Sequence, residues 1–166
     1  MLKKAVPFLL VITVFSIMIY SAYQTRIELT NNYNQAKEYM SKGNYESALP
    51  LLKTIGYGWR DSDELLEICE NHVKYNKAVN LFTSAKYEEA LELFDDFETN
   101  FLSSDIYISR CNVLTVEKHK EKVLRNAEFL YANGDYTAAL KEYKLIPHYK
   151  NSDEMIEICY RKSQEN

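Results

Sequence analysis

One short pattern occurs three times along the chain, and it limits the possible folds more than any other feature. A small residue is followed by a second small residue seven positions later, by Tyr two positions after that, and by Ala-Leu three positions further on. The recurring positions are Ala36, Gly43, Tyr45 and Ala48, then Ala78, Ala85, Tyr87 and Ala90, then Ala127, Gly134, Tyr136 and Ala139. Such recurrence is typical of stacked supersecondary units, each of which needs its neighbour to cover an apolar face.

A second block follows each copy of the pattern and ends in cysteine. The block from Asp61 to Cys69 closely matches the block from Asn151 to Cys159, and the block from Ser103 to Cys111 is a weaker copy. Asp61 and Asn151 are each followed three positions later by Glu, which predicts a capping box and the start of a helix. Because the cysteines recur in register, we interpret them as small core residues.

The residue chemistry of the first pattern predicts a helical hairpin. Glycine can adopt the left-handed conformation that ends a helix, so one helix should end near Gly43 or Gly134. Asn44 or Asp135 would then cap a second helix that starts at the tyrosine, while the small residues let the two helices approach closely. Pro50 lies inside the first of these second helices and should kink it or shorten its start. The chain has only 4 Gly and 3 Pro, which favours an all-α fold.

The spacing between blocks predicts long helices that connect successive hairpins. Neither Gly nor Pro occurs between Cys69 and Ala78 or between Cys111 and Ala127. One continuous helix should therefore run through each of these segments, with its cysteine and its alanine on nearly opposite sides. One side would pack on the preceding short helix and the other side on the following one.

These residues resemble the tetratricopeptide repeat family, in which helical hairpins stack into an α-solenoid. The resemblance covers about residues 30–163, with three hairpin units at about 30–60, 61–102 and 103–150, a capping helix at 151–163 and a tail at 164–166. Copies start 42 and 49 residues apart, whereas the family repeats every 34 residues. The family's proline at the end of each second helix is absent unless Pro147 serves in the last unit.

The N-terminal segment is apolar and predicts a membrane anchor. Residues 5–25 carry no charge and are bounded by Lys4 and Arg26. As a helix they are about 32 Å long, close to the roughly 30 Å of bilayer hydrocarbon. The predicted fold is therefore all-α, with a transmembrane helix in residues 1–25 followed by a three-unit α-solenoid over 26–163. Lys3 and Lys4 place the N-terminus in the cytoplasm and the repeat domain outside it.

A cleaved signal peptide is the alternative to this anchor. Cleavage after Ala22 or Ser21 would put Tyr20 or Ile19 at a position that favours small residues. The chain would then be a secreted accessory protein.

No pattern of catalytic residues is found, and the sequence predicts neither an enzyme nor a cofactor. The cysteines show no metal-ligand spacing, and His72, His119 and His148 have no ligand partner nearby in sequence. The net charge of −4 argues against a nucleic-acid partner, which favours clustered Lys and Arg.

The tetratricopeptide resemblance implies that the first helix of each hairpin lines a groove for another protein. Carried over position by position, the groove consists of Tyr33, Lys37, Met40, Tyr75, Val79, Phe82, Leu124, Glu128 and Tyr131. This set is mostly apolar and would hold a peptide segment or helix of a partner. The leading hypothesis is a membrane-anchored scaffold for protein–protein interaction, and the alternative is an extracytoplasmic module that binds a glycan or another ligand.

Overall fold

The computed structural model describes residues 2–98 and 101–165, with side chains from Val11 onward, and this part of the chain is helical without any strand. The all-α class predicted from the sequence is confirmed for it. Long helices alternate with short ones, and a single turn over Phe101–Ser103 comes before the fifth helix. The helices are α1 (Leu2–Ser41), α2 (Tyr45–Ile55), α3 (Ser62–Thr83), α4 (Tyr87–Asp95), α5 (Ser104–Ala132), α6 (Tyr136–Tyr143) and α7 (Ser152–Gln164).

The three turns that join a long helix to the next short helix share one hydrogen-bond pattern. The N–H of Gly43 donates to the carbonyl of Met40 at 2.9 Å, and the following N–H donates to the carbonyl five residues before it. Both bonds recur at the other two turns, as in a Schellman motif. The backbone is left-handed there, with φ of 73°, 57° and 81° at Gly43, Ala85 and Gly134. This conformation costs a residue with a Cβ about 1–2 kcal/mol, so only Ala85 carries the cost.

The short helices differ in how their first turn is capped. The Asn44 side chain accepts a hydrogen bond from the N–H of Ser47 at 3.1 Å, and Asp135 accepts one from Ala138 at 3.0 Å. Lys86 occupies the equivalent position before α4 and makes no side-chain cap. The middle turn therefore lacks both the glycine and the cap that the outer two turns have.

The chain forms two compact units, over Met1–Asn76 and Lys77–Asn166, and the boundary lies inside α3. The sequence repeat instead predicts three hairpin units with a cap, and that division stays a prediction about the repeat. In the first unit, α1 packs on α2 through residues that are fully buried. Ala36 and Ala48 have no exposed surface, and neither has Cys69 of α3. The absence of large side chains at these positions lets the helix backbones approach closely.

The second unit has two buried regions, one on each side of α5. Towards α4, the residues Ala90, Phe94 and Cys111 are fully buried. Towards α6 and α7 lies a larger cluster, made of Val123, Leu124, Ala127, Ala139, Tyr143, Ile146 and Cys159. Cys111 and Ala127 are sixteen residues apart on α5, which is about 160° around a helix. The continuous helix predicted from the lack of Gly and Pro is thus present, and it buries opposite sides in its two halves.

The predicted transmembrane helix is wrong for the part of the chain that the structure describes, where no helix is long and apolar enough to cross a membrane. Over the residues of α1 whose side chains are described, the apolar stretch ends at Tyr23, and polar and charged side chains follow it. Residues 5–10, on which the predicted anchor also relied, lie outside the residues whose side chains are described. The predicted extracytoplasmic location depended on that anchor and stays a prediction.

Two local predictions also differ from the structure. The side chain of Asn151 makes no capping hydrogen bond, so the predicted capping box is absent from α7. The buried hydroxyl of Ser152 instead donates to the carbonyl of Ile146 at 2.7 Å, and Ser62 makes the same bond to Gly56 at 3.2 Å. Of the two effects predicted for Pro50, a shortened start is wrong, because α2 begins at Tyr45, and the kink stays a prediction. The Pro50 side chain lies on the exposed side of the helix, where water can hydrogen-bond the carbonyl that its missing N–H leaves free.

Candidate functional site

The predicted groove residues of α1 are held in a cluster with the loop that precedes α3. Tyr33 is buried, and its hydroxyl donates a hydrogen bond to the carboxylate of Asp61. Lys37 donates to the same hydroxyl at 3.3 Å, and the guanidinium of Arg60 lies 4.7 Å from the centre of the Tyr33 ring. The hydrogen bond from the Tyr33 hydroxyl lowers the pKa of the Asp61 carboxyl, so the carboxylate is charged at neutral pH. Met40 is half-buried against the core of the first unit.

The predicted groove residues of α3 are also largely enclosed. Tyr75 and Val79 are half-buried. The ring of Phe82 lies 5.1 Å from the ring of Tyr107 in an edge-on arrangement and 5.6 Å from the ring of Tyr87. Phe82 therefore belongs to an aromatic cluster among α3, α4 and α5, and truncating it would disturb the fold.

The predicted residues of α5 divide between core and surface. Leu124 is 6% exposed and lies in the cluster shared with α6 and α7. Tyr131 packs partly against that cluster and meets the ring of Tyr136 at 5.4 Å. Glu128 is exposed. Of the nine predicted residues, only Lys37 and Glu128 are exposed, so the carried-over set does not describe an open apolar surface.

Open apolar surface is found instead on α5, because each half of this helix is covered on one side only. The ring of Phe94, near the end of α4, stacks on the ring of Tyr107 at 5.0 Å. Near the start of α4, the ammonium of Lys118 donates to the carbonyl of Ala85 at 3.0 Å. Helix α4 therefore runs antiparallel to α5 and covers it between Tyr107 and Lys118.

Helix α6 and the loop after it cover the other half of α5. Tyr136 at the start of α6 contacts Tyr131, and the Tyr149 ring after α6 lies 5.4 Å from the ammonium of Lys120. The 29 residues of α5 span about 44 Å, whereas α4 and α6 have 9 and 8 residues and span about 14 and 12 Å. The two short helices are together shorter than α5, and each covers only one side of it. Each half of α5 therefore keeps an uncovered side.

The uncovered side of the first half carries a stripe of branched apolar side chains. Ile106, Val113 and Val116 are 55%, 60% and 52% exposed. Their spacing of seven and three residues places them on one face of the helix. A depression of about 230 Å³ lies beside them and is lined by Ser109, Arg110, Val113 and Leu114. We call the face formed by Ile106, Val113 and Val116 the apolar stripe.

The uncovered side of the second half forms an open groove of about 600 Å³. Its lining residues are His119, Lys122, Val123, Arg125, Asn126 and Phe129 of α5 together with Glu142 of α6. Phe129 is 66% exposed although it is large and apolar. We call this set the basic groove, because Lys122 and Arg125 outnumber its one carboxylate. The family pattern does not predict this groove, since it points to Leu124 and Tyr131 on another side of the same helix.

Among the titratable groups with a shifted pKa are a carboxyl in an ion pair on α5 and the buried thiols of the cores. Lys150 donates a hydrogen bond to Glu121 at 3.0 Å, and this bond lowers the pKa of the Glu121 carboxyl. Burial raises the pKa of the thiol in all three cysteines, which lie unpaired in the cores. Their thiols are protonated at neutral pH and poorly nucleophilic. In the described part of the chain, no three His, Cys, Asp or Glu side chains are grouped so that they could hold a metal ion.

Comparison with known proteins assigns no family. No protein-family model, no curated protein and no solved structure matches the chain. The tetratricopeptide resemblance therefore rests only on the repeated residues and stays a prediction.

Proposed function

We propose that this chain is a helical scaffold that binds another protein, and that it acts by binding and not by catalysis. The observation that carries the proposal is the apolar stripe on α5. None of its three side chains belongs to a buried core, and each exposes more than half of its surface. Large apolar side chains grouped on one face of a folded protein mark interaction sites.

The proposed occupant is an amphipathic helix or an apolar peptide segment of a partner protein. Apolar anchors at intervals of three and seven residues match the spacing with which one helix packs against another. Arg110 lies in the adjacent depression and would meet a polar or acidic residue of the partner. The repeat pattern supports the same conclusion, because solenoids built from helical hairpins use long uncovered helix faces as binding surfaces.

The test is photo-crosslinking from within the apolar stripe. A photoreactive amino acid replaces Val113 in one sample and Glu92, an exposed residue of α4, in a control sample. The proposal predicts that Val113 captures one defined segment of one protein and that the control position does not. The captured protein is then purified and titrated with the wild-type chain and with an Ile106→Ser/Val113→Ser variant.

We expect the variant to bind at least about tenfold more weakly, which corresponds to about 1.4 kcal/mol. Its far-ultraviolet circular dichroism should stay unchanged, because both side chains are exposed. Equal capture at Val113 and Glu92, or equal affinity of the variant, would contradict the proposal.

A further inference from the structure

The basic groove combines one exposed aromatic ring with cations that the fold leaves without strong partners. No described carboxylate lies within ion-pair distance of the Lys122 ammonium. Arg125 approaches Glu121 only at 3.8 Å, and the other oxygen of that carboxylate already binds Lys150 at 3.0 Å. The groove thus holds two permanent positive charges against the single carboxylate of Glu142, in a chain whose net charge is −4.

The residues of the groove are spaced along one side of α5. His119, Lys122, Asn126 and Phe129 follow one another at intervals of three, four and three residues, so they share one helix face. From His119 to Phe129 the helix rises about 15 Å. An extended peptide advances about 3.3 Å per residue, so roughly five residues fit along the groove. The Phe129 ring lies at one end of this length and the cations lie before it.

We propose that the basic groove binds a short acidic segment of another protein that carries one apolar side chain. The carboxylates of the segment pair with Lys122 and Arg125, and its apolar side chain packs on Phe129. The inference rests on the proposed scaffold function and names the chemistry of one partner segment. It concerns a surface separate from the apolar stripe, which lies in the other half of α5.

Charge complementarity is the reason to choose an acidic peptide as the occupant. One cation without an ion pair and one weakly paired cation, beside an apolar ring, favour a ligand that offers both negative charge and apolar surface. A single-stranded nucleic acid also offers negative charge and bases that can stack on Phe129. The acidic balance of the whole chain disfavours it more than a short peptide, because its backbone carries a higher density of negative charge.

The probe is a fluorescein-labelled pentapeptide with a central Leu between two pairs of Glu, titrated with the full chain and followed by fluorescence anisotropy. The control peptides replace the Leu by Ser or every Glu by Lys. We expect the Glu peptide with Leu to bind most tightly. Its affinity should fall as the salt concentration rises from about 0.05 M to about 0.5 M, because screening weakens exposed charge pairs.

Variants locate the binding site. Lys122→Glu/Arg125→Glu should weaken peptide binding at least about tenfold. The matched control Lys141→Glu/Lys144→Glu changes the net charge equally, at one residue of α6 and the residue after its end, both outside the groove lining. It should weaken binding much less. Phe129→Ala should remove the preference for Leu over Ser. All these side chains are exposed, so circular dichroism should show the wild-type helix content.

Three results would overturn the inference. The first is equal loss of affinity in both charge-reversal variants, which would indicate a non-specific charge effect. The second is tighter binding of a labelled single-stranded oligonucleotide than of the peptide. The third is dimerisation of the wild-type chain in sedimentation experiments that Lys122→Glu/Arg125→Glu abolishes, which would assign the groove to a second copy. If crosslinking at Val113 still identifies a partner, only this inference fails and the scaffold function stands.

Discussion

Replacing Ala85 by glycine should stabilise the protein, because Ala85 adopts a left-handed backbone conformation in the turn before α4. That conformation costs alanine about 1–2 kcal/mol relative to glycine. Glycine also raises the conformational entropy of the unfolded chain, which lowers the stability of the variant by about 0.4–1 kcal/mol. The net expectation for Ala85→Gly is a gain of about 0.5–1 kcal/mol. The hydrogen bonds of the turn are made by backbone atoms and remain in the variant.

The assay is urea unfolding followed by circular dichroism at a wavelength that reports helix. With a denaturant slope of about 2 kcal/mol per molar, the gain moves the midpoint up by roughly 0.25–0.5 M. Gly134→Ala is the matched control, because Gly134 has the same role in the turn before α6. A Cβ added there meets no atom within 4 Å, so the substitution adds backbone strain without a steric clash.

The control should therefore lower the midpoint by a similar amount. A lower midpoint for Ala85→Gly, or an unchanged midpoint for Gly134→Ala, would refute the assignment of strain to these left-handed residues.

Other side chains lead to three further measurements. Ser152→Ala should lower the free energy of unfolding by about 1–3 kcal/mol, because it leaves the buried carbonyl of Ile146 without its hydroxyl partner; an unchanged urea midpoint would contradict this. The pKa of Asp153 is lowered, mainly by the hydrogen bond from the His148 backbone N–H. Its stabilising contribution is thus present above the unfolded-state pKa near 3.9 and is lost as pH falls through the lower folded-state pKa. Asp153→Asn should therefore flatten the fall in melting temperature below about pH 4, and an acid slope equal to that of the wild type would argue against it. The three buried thiols should react slowly with a thiol reagent at about pH 8 and fast in urea, and fast reaction of the native protein would show that the cores open readily.

The order of helices could be predicted because the signals that start and stop them are local. A left-handed glycine, a capping side chain and a run without Gly or Pro act within a few residues of chain. The turns at Gly43 and Gly134 show this most directly, since both the glycine and the following cap are read from adjacent positions. The middle turn has the same backbone hydrogen bonds with Ala85 and Lys86, although it lacks both the glycine and the cap.

The binding surface could not be predicted because it depends on which side of a helix its neighbours cover. Phe82, Tyr131 and Phe129 are aromatic residues on long helices, and nothing in their local sequence separates them. Phe82 and Tyr131 are enclosed by rings of neighbouring helices, whereas Phe129 lies in the open groove on the uncovered side of α5. The side of the long helix that each short helix covers decides this difference, and the local sequence does not show which side that is.

The predicted anchor is also wrong for the part of the chain that the structure describes, where no helix is long and apolar enough to cross a membrane. The prediction relied on the absence of charge over residues 5–25, and the side chains of residues 5–10 lie outside the described ones.

The opposite faces that α5 buries have a consequence for how such a chain can grow or shrink during evolution. A chain divided between α4 and α5 would lose the helix that buries Cys111, and a chain divided between α5 and α6 would lose the helix that buries Ala127. In each case the residue would be exposed to water. A cut in the middle of the long helix, between those two residues, separates the two buried clusters with the least loss of contact. Duplication of a segment that runs from mid-helix to mid-helix would therefore add a complete, self-covering module, whereas duplication of a hairpin would not.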